Sequence, residues 1–158
     1  MVSINPTTTS ADSLYINKLP QTKKEISIWF ENANCDEESH KTIDAGCNKG
    51  GGIRTCKIRI NGKLLPQKEF QYDADGNTIS ITSHKYDIKG NETSHIIQSV
   101  DGTISSWTEN EYDEFDNLIK ETSKDSQGII TSTVEYIYEN GEPVDQIIRD
   151  ADGSIIEA

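Results

Sequence analysis

Asx-Gly turns recur at a near-fixed interval between residues 61 and 153, and that interval limits what the chain can fold into. They fall at 61–62 (NG), 73–77 (DADGN), 87–91 (DIKGN), 100–102 (VDG), 113–117 (DEFDN), 125–128 (DSQG), 139–141 (ENG) and 150–153 (DADG). Their reference residues, Gly62, Gly76, Gly90, Gly102, Asp116, Gly128, Gly141 and Gly153, stand 14, 14, 12, 14, 12, 13 and 12 apart. Removing about four residues for each turn leaves strands of about eight to ten residues, the spacing of successive antiparallel hairpins. In D-x-x-G the first Asp accepts a backbone hydrogen bond from two residues on, the next two form a type I turn, and Gly takes the left-handed conformation of a G1 bulge. Asp116 stands where the other turns have Gly, so positive φ is predicted there, with Asp116→Gly stabilising.

The segments between turns have strand composition. ISIT at 79–82, HII at 95–97, TISSW at 103–107, NLIKET at 117–122, IITSTVEYIY at 129–138 and DQII at 145–148 are rich in β-branched and aromatic residues. Alternation is clearest at Ile79 and Ile81 and at Val134, Tyr136 and Tyr138, and no helical period of 3.6 runs through the region. The expected fold is all-β: an antiparallel meander of about eight to ten strands, each with one buried face, forming an open curved sheet or a small barrel. Residues 154–158 would be a short edge, which makes either a monomer or an edge-strand dimer the expected state.

Several turns carry a tyrosine in phase. Tyr stands four residues before the reference residue in YDADGN (72–77), YDIKGN (86–91) and YDEFDN (112–117), and Tyr138 stands three before Gly141. From residue 86 the tyrosine turns alternate with plain ones, giving a unit of 25–26 residues. Over residues 68–158 this resembles the YD repeat of the Rhs-type family, most closely in YDEFDNLIKETSKDSQGIITSTVEYIYENG. The resemblance implies β-sheet built from repeated hairpins. Large members wind such strands into a shell around a toxin domain. With its few units the chain is similar instead to small bacterial members, which implies a non-catalytic module recognising a protein or a glycan. Tyr72, Tyr86, Tyr112 and Tyr138 are expected to pack beside their turns with the hydroxyls at the rim, the alternative being an aromatic ladder for sugars. Trp107 lies outside the repeat and is either a core plug or an exposed binding aromatic. Tyr86, Tyr112, Tyr138 and Trp107 are therefore the candidate binding residues.

The first 57 residues read differently. Residues 1–13 (MVSINPTTTSADS) form a polar tail without the basic and apolar regions of a secretory signal, so the cytoplasm is the default expectation, with export by another route left open. Residues 14–57 are expected to cap one end of the repeat region, 58–158, within one domain. EISIWF at 25–30 reads as a strand with Ile26 and Ile28 on one face, and DEESHKTIDA at 36–45 as a short helix with its acidic residues first. GCNKGGG at 46–52 reads as a glycine-rich loop, and GIRTCKIRI at 52–60 as a strand.

Cys35, His40, Cys47 and Cys56 are spaced C-x4-H-x6-C-x8-C, without the tight C-x2-4-C knuckle of structural zinc sites, so neither a metal nor a cofactor is expected. The odd cysteine count favours reduced thiols, with a Cys47–Cys56 bridge as the alternative. Cys35 and Cys56 fit as small buried hydrophobes. DADGN and DADG resemble the opening of calcium loops, with Asp73, Asp75, Asp150 and Asp152 as ligands, but lack the distal Glu; solvated turns are the expected reading.

Charge narrows the partners. Residues 1–65 hold nine Lys and Arg against seven Asp and Glu, whereas residues 66–158 hold six against twenty, for a net charge of -12. Such a surface lacks the basic stripe that nucleic acid or an anionic membrane requires. With no apolar run of about 18 residues, no membrane span is expected. An acidic face would also suit a second reading, a toxin-associated factor: an immunity-type protein bound to a basic toxin, or a small enzyme using the N-terminal Cys/His segment.

Overall fold

The computed structural model describes residues 19–44 and 46–158; the tail expected at 1–13 lies outside the described residues. Ten strands form one open antiparallel sheet whose spatial order follows the chain order. They are β1 (Glu37–Ile43), β2 (Gly51–Ile60), β3 (Lys63–Tyr72), β4 (Thr78–Tyr86), β5 (Glu92–Ser99), β6 (Ile104–Tyr112), β7 (Leu118–Lys124), β8 (Ile130–Glu139), β9 (Glu142–Asp150) and β10 (Ile155–Glu157). Among the described residues one α-helix, α1 (Lys23–Asn32), precedes them. The meander is the expected one, and the sheet stays open.

The turns follow the expected chemistry. Gly76 N–H donates to Asp73 O at 3.1 Å, and Oδ1 of Asp73 accepts from the amides of Asp75 and Asn77 at 2.9 Å each. Asp87, Asp113, Asp125 and Asp150 repeat this pattern. The NG turns differ: Asn61 and Gly62, like Asn140 and Gly141, both have positive φ, the two-residue type I′ form. Asp116 has φ 67°, as predicted. Its carboxylate also accepts from Asn91 Nδ2 at 2.9 Å and faces Lys89 Nζ at 3.3 Å, tying together neighbouring turns. Glycine there would relieve about 1 kcal/mol of left-handed strain and lose two exposed contacts worth about 0.5 kcal/mol in all. Asp116→Gly is therefore expected to stabilise by about 0.5 kcal/mol, and Asp116→Ala, which keeps the strain, to destabilise by about 0.5 kcal/mol; paired urea titrations would show opposite signs.

Two N-terminal expectations are corrected. Residues 25–30 lie in α1, not a strand. Thr22 caps the helix, its Oγ1 accepting from Glu25 N–H at 3.2 Å, while Glu25 Oε1 accepts from Gln21 N–H at 2.9 Å. This T-x-x-E arrangement is close to a capping box, and it puts Ile26 and Phe30, four apart, on the buried face. Residues 37–43 form β1, not a helix, because β2 offers opposite charge across the ladder. Glu38 pairs with Arg54, and Glu37 stands 4.0 Å from Lys57.

The cysteines are the third correction. Cys35 and Cys56 form a disulfide, and Cys47 is free and exposed. Cys35 follows α1, and Cys56 lies under the helix, 1% exposed; packing the helix on β2 brings the pair together. The apolar core is Ile26, Phe30, Cys56, Phe70, Tyr72 and Ile81, with Leu19, Trp29 and Cys35 against it. Phe70 meets Trp29 and Phe30 at ring-centroid distances of 4.8 and 5.7 Å. Gly52 permits a close approach inside this layer: a Cβ there would lie 2.4 Å from the Tyr72 hydroxyl.

Beyond β4 the architecture departs from expectation. From β5 on, Ser94 and Thr122 are the buried residues among those described. Among the described residues no other layer covers either face of this part of the sheet, so the strands do not have the single buried face that alternation implied. Hydrogen-bonded ladders, turn bonds and cross-strand pairs hold it.

Candidate functional site

Register and strand alternation sort the side chains onto two faces. Ile81 pairs with Phe70 and Gln98, and Ser83, two residues on, pairs with Ile96, which pairs with Trp107; these share the helix-covered face. Thr82 pairs with Glu69, His84 with His95, His95 with Thr108, and Thr108 with Ser123, all on the opposite face.

Three tyrosines of the repeat recur on that opposite face with one geometry. The Tyr86 hydroxyl donates to Pro66 O, that of Tyr112 to Glu92 O at 2.7 Å, and that of Tyr138 to Leu118 O at 2.7 Å. Each acceptor lies 20 residues upstream on the preceding strand. The rings thus lie across their own two-strand units, half-buried, beside their turns as expected. Tyr72 does not join them. Its turn sits at the other end of the sheet, and its ring is in the core, 3% exposed, with its hydroxyl on His40 Nε2. Trp107 is also apart, half-buried on the helix-side face, with Lys124 Nζ 5.1 Å from its ring centroid. The four candidate binding residues therefore divide into a row of three and one residue on the reverse.

Between and beside the tyrosines stand carboxylates. Glu92 and Glu69 flank Tyr86, and Glu121 accepts from the Tyr136 hydroxyl at 3.4 Å. A cleft of about 360 Å³ at the rim is lined by Asp87, Lys89, Asn110, Tyr112, Asp113 and Asp116, among others. Burial, then Glu92 and Glu69, push the Tyr86 phenol up to about 12. Burial also raises Tyr112 and Tyr136. A phenol raised in the folded state adds stability that is complete below the ordinary value of about 10 and is lost as pH climbs towards 12. On the acid side, Asp101 is held at about 2, chiefly by the Ser99 hydroxyl, and Asp152 at about 2, chiefly by Ser154. Their contribution is present above the ordinary carboxylate value and lost as pH falls towards 2. An absorbance titration at alkaline pH is expected to show a late phenol step that Tyr86→Phe removes.

Sequence reasoning missed one cluster. His84, 8% exposed in its side chain, has Nδ1 2.5 Å from Glu92 Oε2 and Nε2 2.7 Å from Glu69 Oε2. His95 Nδ1 lies 3.6 Å from Glu92 Oε1. His84 and His95 sit directly opposite each other in the β4–β5 hairpin, so register counting outwards from the 87–91 turn would have paired them. The expected sites fare otherwise. Cys35 and Cys56 are consumed by the disulfide, and His40 is engaged by Tyr72. Asp73 and Asp75 share one turn, Asp150 and Asp152 another, six hairpin turns further on, and Asp73, Asp150 and Asp152 accept turn amides. No helix among the described residues is long and apolar enough to cross a membrane. No protein-family model matches the chain, and no curated protein matches it.

Proposed function

We propose that the chain is a non-catalytic binding module of YD-repeat type that recognises a protein through the sheet face carrying Tyr86, Tyr112 and Tyr138. The observation that carries this reading is the two-sided exposure of β5–β10, where an acidic and aromatic face is left uncovered by any other part of the described chain. Tyrosines offer contact area at low entropic cost, and the interleaved Glu92 and Glu121 favour a partner with basic side chains. A glycan ladder is the weaker reading, because the three hydroxyls are spent on backbone carbonyls and the rings lie half-buried across the strands. The acidity also supports a second reading within the same class, an immunity-type protein that holds a basic toxin.

The test immobilises three proteins in a lysate of the source cells: the parent, Glu121→Lys with Tyr136→Ala on the tyrosine face, and Glu111→Lys on the reverse. The expected result is a basic protein held by the parent and by Glu111→Lys, lost from the tyrosine-face variant and released by salt. Equal capture by all three, or binding to a glycan array with no protein held, overturns the reading.

A further inference from the structure

We propose that His84, Glu92 and His95 form a binding site for a divalent transition-metal ion of the zinc class, with Glu69 as the outer partner of His84. Among the described residues this is the triple of His, Cys, Asp or Glu placed to hold a metal, with one ligand atom from each lying within 4.8 Å of the others. Two histidines facing each other across a hairpin give two imidazole donors on one face, and Glu92, next to the turn, brings its carboxylate between them.

The second-layer geometry is that of a metal-bound histidine. In the tautomer that a metal on Nδ1 requires, Glu69 accepts the Nε2 proton of His84 at 2.7 Å. That leaves Nδ1 as the ring's lone-pair donor, aimed at Glu92. A carboxylate is an acceptor only, so this contact needs a cation, either a proton or a metal ion. Carboxylate–histidine–metal arrangements of this kind fix the ring and strengthen the donor. Bond lengths of about 2.0–2.2 Å to nitrogen and oxygen place tetrahedral donors about 3.3 Å apart. The His84–Glu92 contact must open by less than an ångström or so to reach that spacing, and the side chains of Glu92 and His95 are partly exposed. Two carboxylates and one divalent ion also sum to zero charge in this half-buried place. Imidazole donors select zinc, copper or nickel over calcium and magnesium. With three protein ligands, the fourth position is left to water or to a donor from a partner.

The experiment uses the full chain without an affinity tag, with Cys47→Ser to remove the exposed thiol, and zinc chloride as the probe. Calorimetry is expected to show one ion per chain, with a rise in melting temperature, and cobalt(II) is expected to give the visible bands of a tetrahedral nitrogen–oxygen site. His95→Gln is expected to abolish binding, and Glu69→Gln to weaken it by about 10–100-fold. His40→Gln, at the remaining histidine, leaves it unchanged. Circular dichroism of each variant separates lost binding from lost fold. No heat and no thermal shift at millimolar zinc, or equal binding by the folded His84→Gln/His95→Gln variant, overturns the site.

Discussion

Phe70→Ala is expected to cost about 4 kcal/mol of stability, the largest loss for any single apolar truncation in this chain. Phe70 is fully buried. It is the residue on which the two layers meet, with Ile81 beside it on β4 and the rings of Trp29 and Phe30 above it on α1. Removing the ring leaves a cavity that two neighbouring aromatics cannot collapse into without moving the helix. The effect should reach well beyond the site. β5–β10 bury no apolar side chain, so each strand depends on a formed neighbour, and the helix-backed β2–β4 layer is the template. Urea unfolding followed by both tryptophan fluorescence and circular dichroism checks this. Phe115→Ala, in a turn and 75% exposed, serves as the control, expected within about 0.5 kcal/mol of the parent. A loss below about 1.5 kcal/mol at Phe70 would show that the sheet stands without its helical layer.

Opening the Cys35–Cys56 bridge is expected to cost about 3 kcal/mol and about 10 °C of melting temperature, from the entropy released to a loop whose ends are 21 residues apart. The bridge fastens the chain leaving α1 to the middle of β2, so its loss also loosens the helix that covers Phe70. Thiol counting gives an independent reading. The native protein should show one reactive thiol, Cys47, and the reduced, unfolded chain three. Three reactive thiols in the native state, or an unchanged melt for Cys35→Ser, would contradict the bridge. Because Cys56 is 1% exposed, reduction should proceed through partial opening and be slower than labelling of Cys47.

Legibility in the sequence followed the range of the interaction. The hairpin turns were readable because Asp, Asn and Gly act on their own backbone within five residues. The positive φ of Asp116 follows from the same phase. Residues 25–30 misled because Ile26 and Ile28 alternate like a strand; Thr22 and Glu25 held the decisive signal, a helix start within one turn. The acidic run at 37–38 misled because its partners, Arg54 and Lys57, lie on another strand. The tyrosine row was legible as a phase, but Tyr72 carries the same motif at the opposite rim and ends in the core. The histidine cluster was within reach of register counting from the 87–91 turn, whereas Glu69 enters it from β3, which only the assembled sheet supplies.

The sequence by itself determined the meander from β2 onward: the positions of its turns and the left-handed residues that close them. These follow from backbone preferences and local hydrogen bonds, which need no distant partner. The tertiary structure alone decided that 37–43 is a strand, that Cys35 finds Cys56, that the core stops at β4, and that two histidines and two glutamates meet. Each of these depends on residues far apart in the chain, whose proximity is set by which face of the sheet the helix covers and which it leaves to solvent.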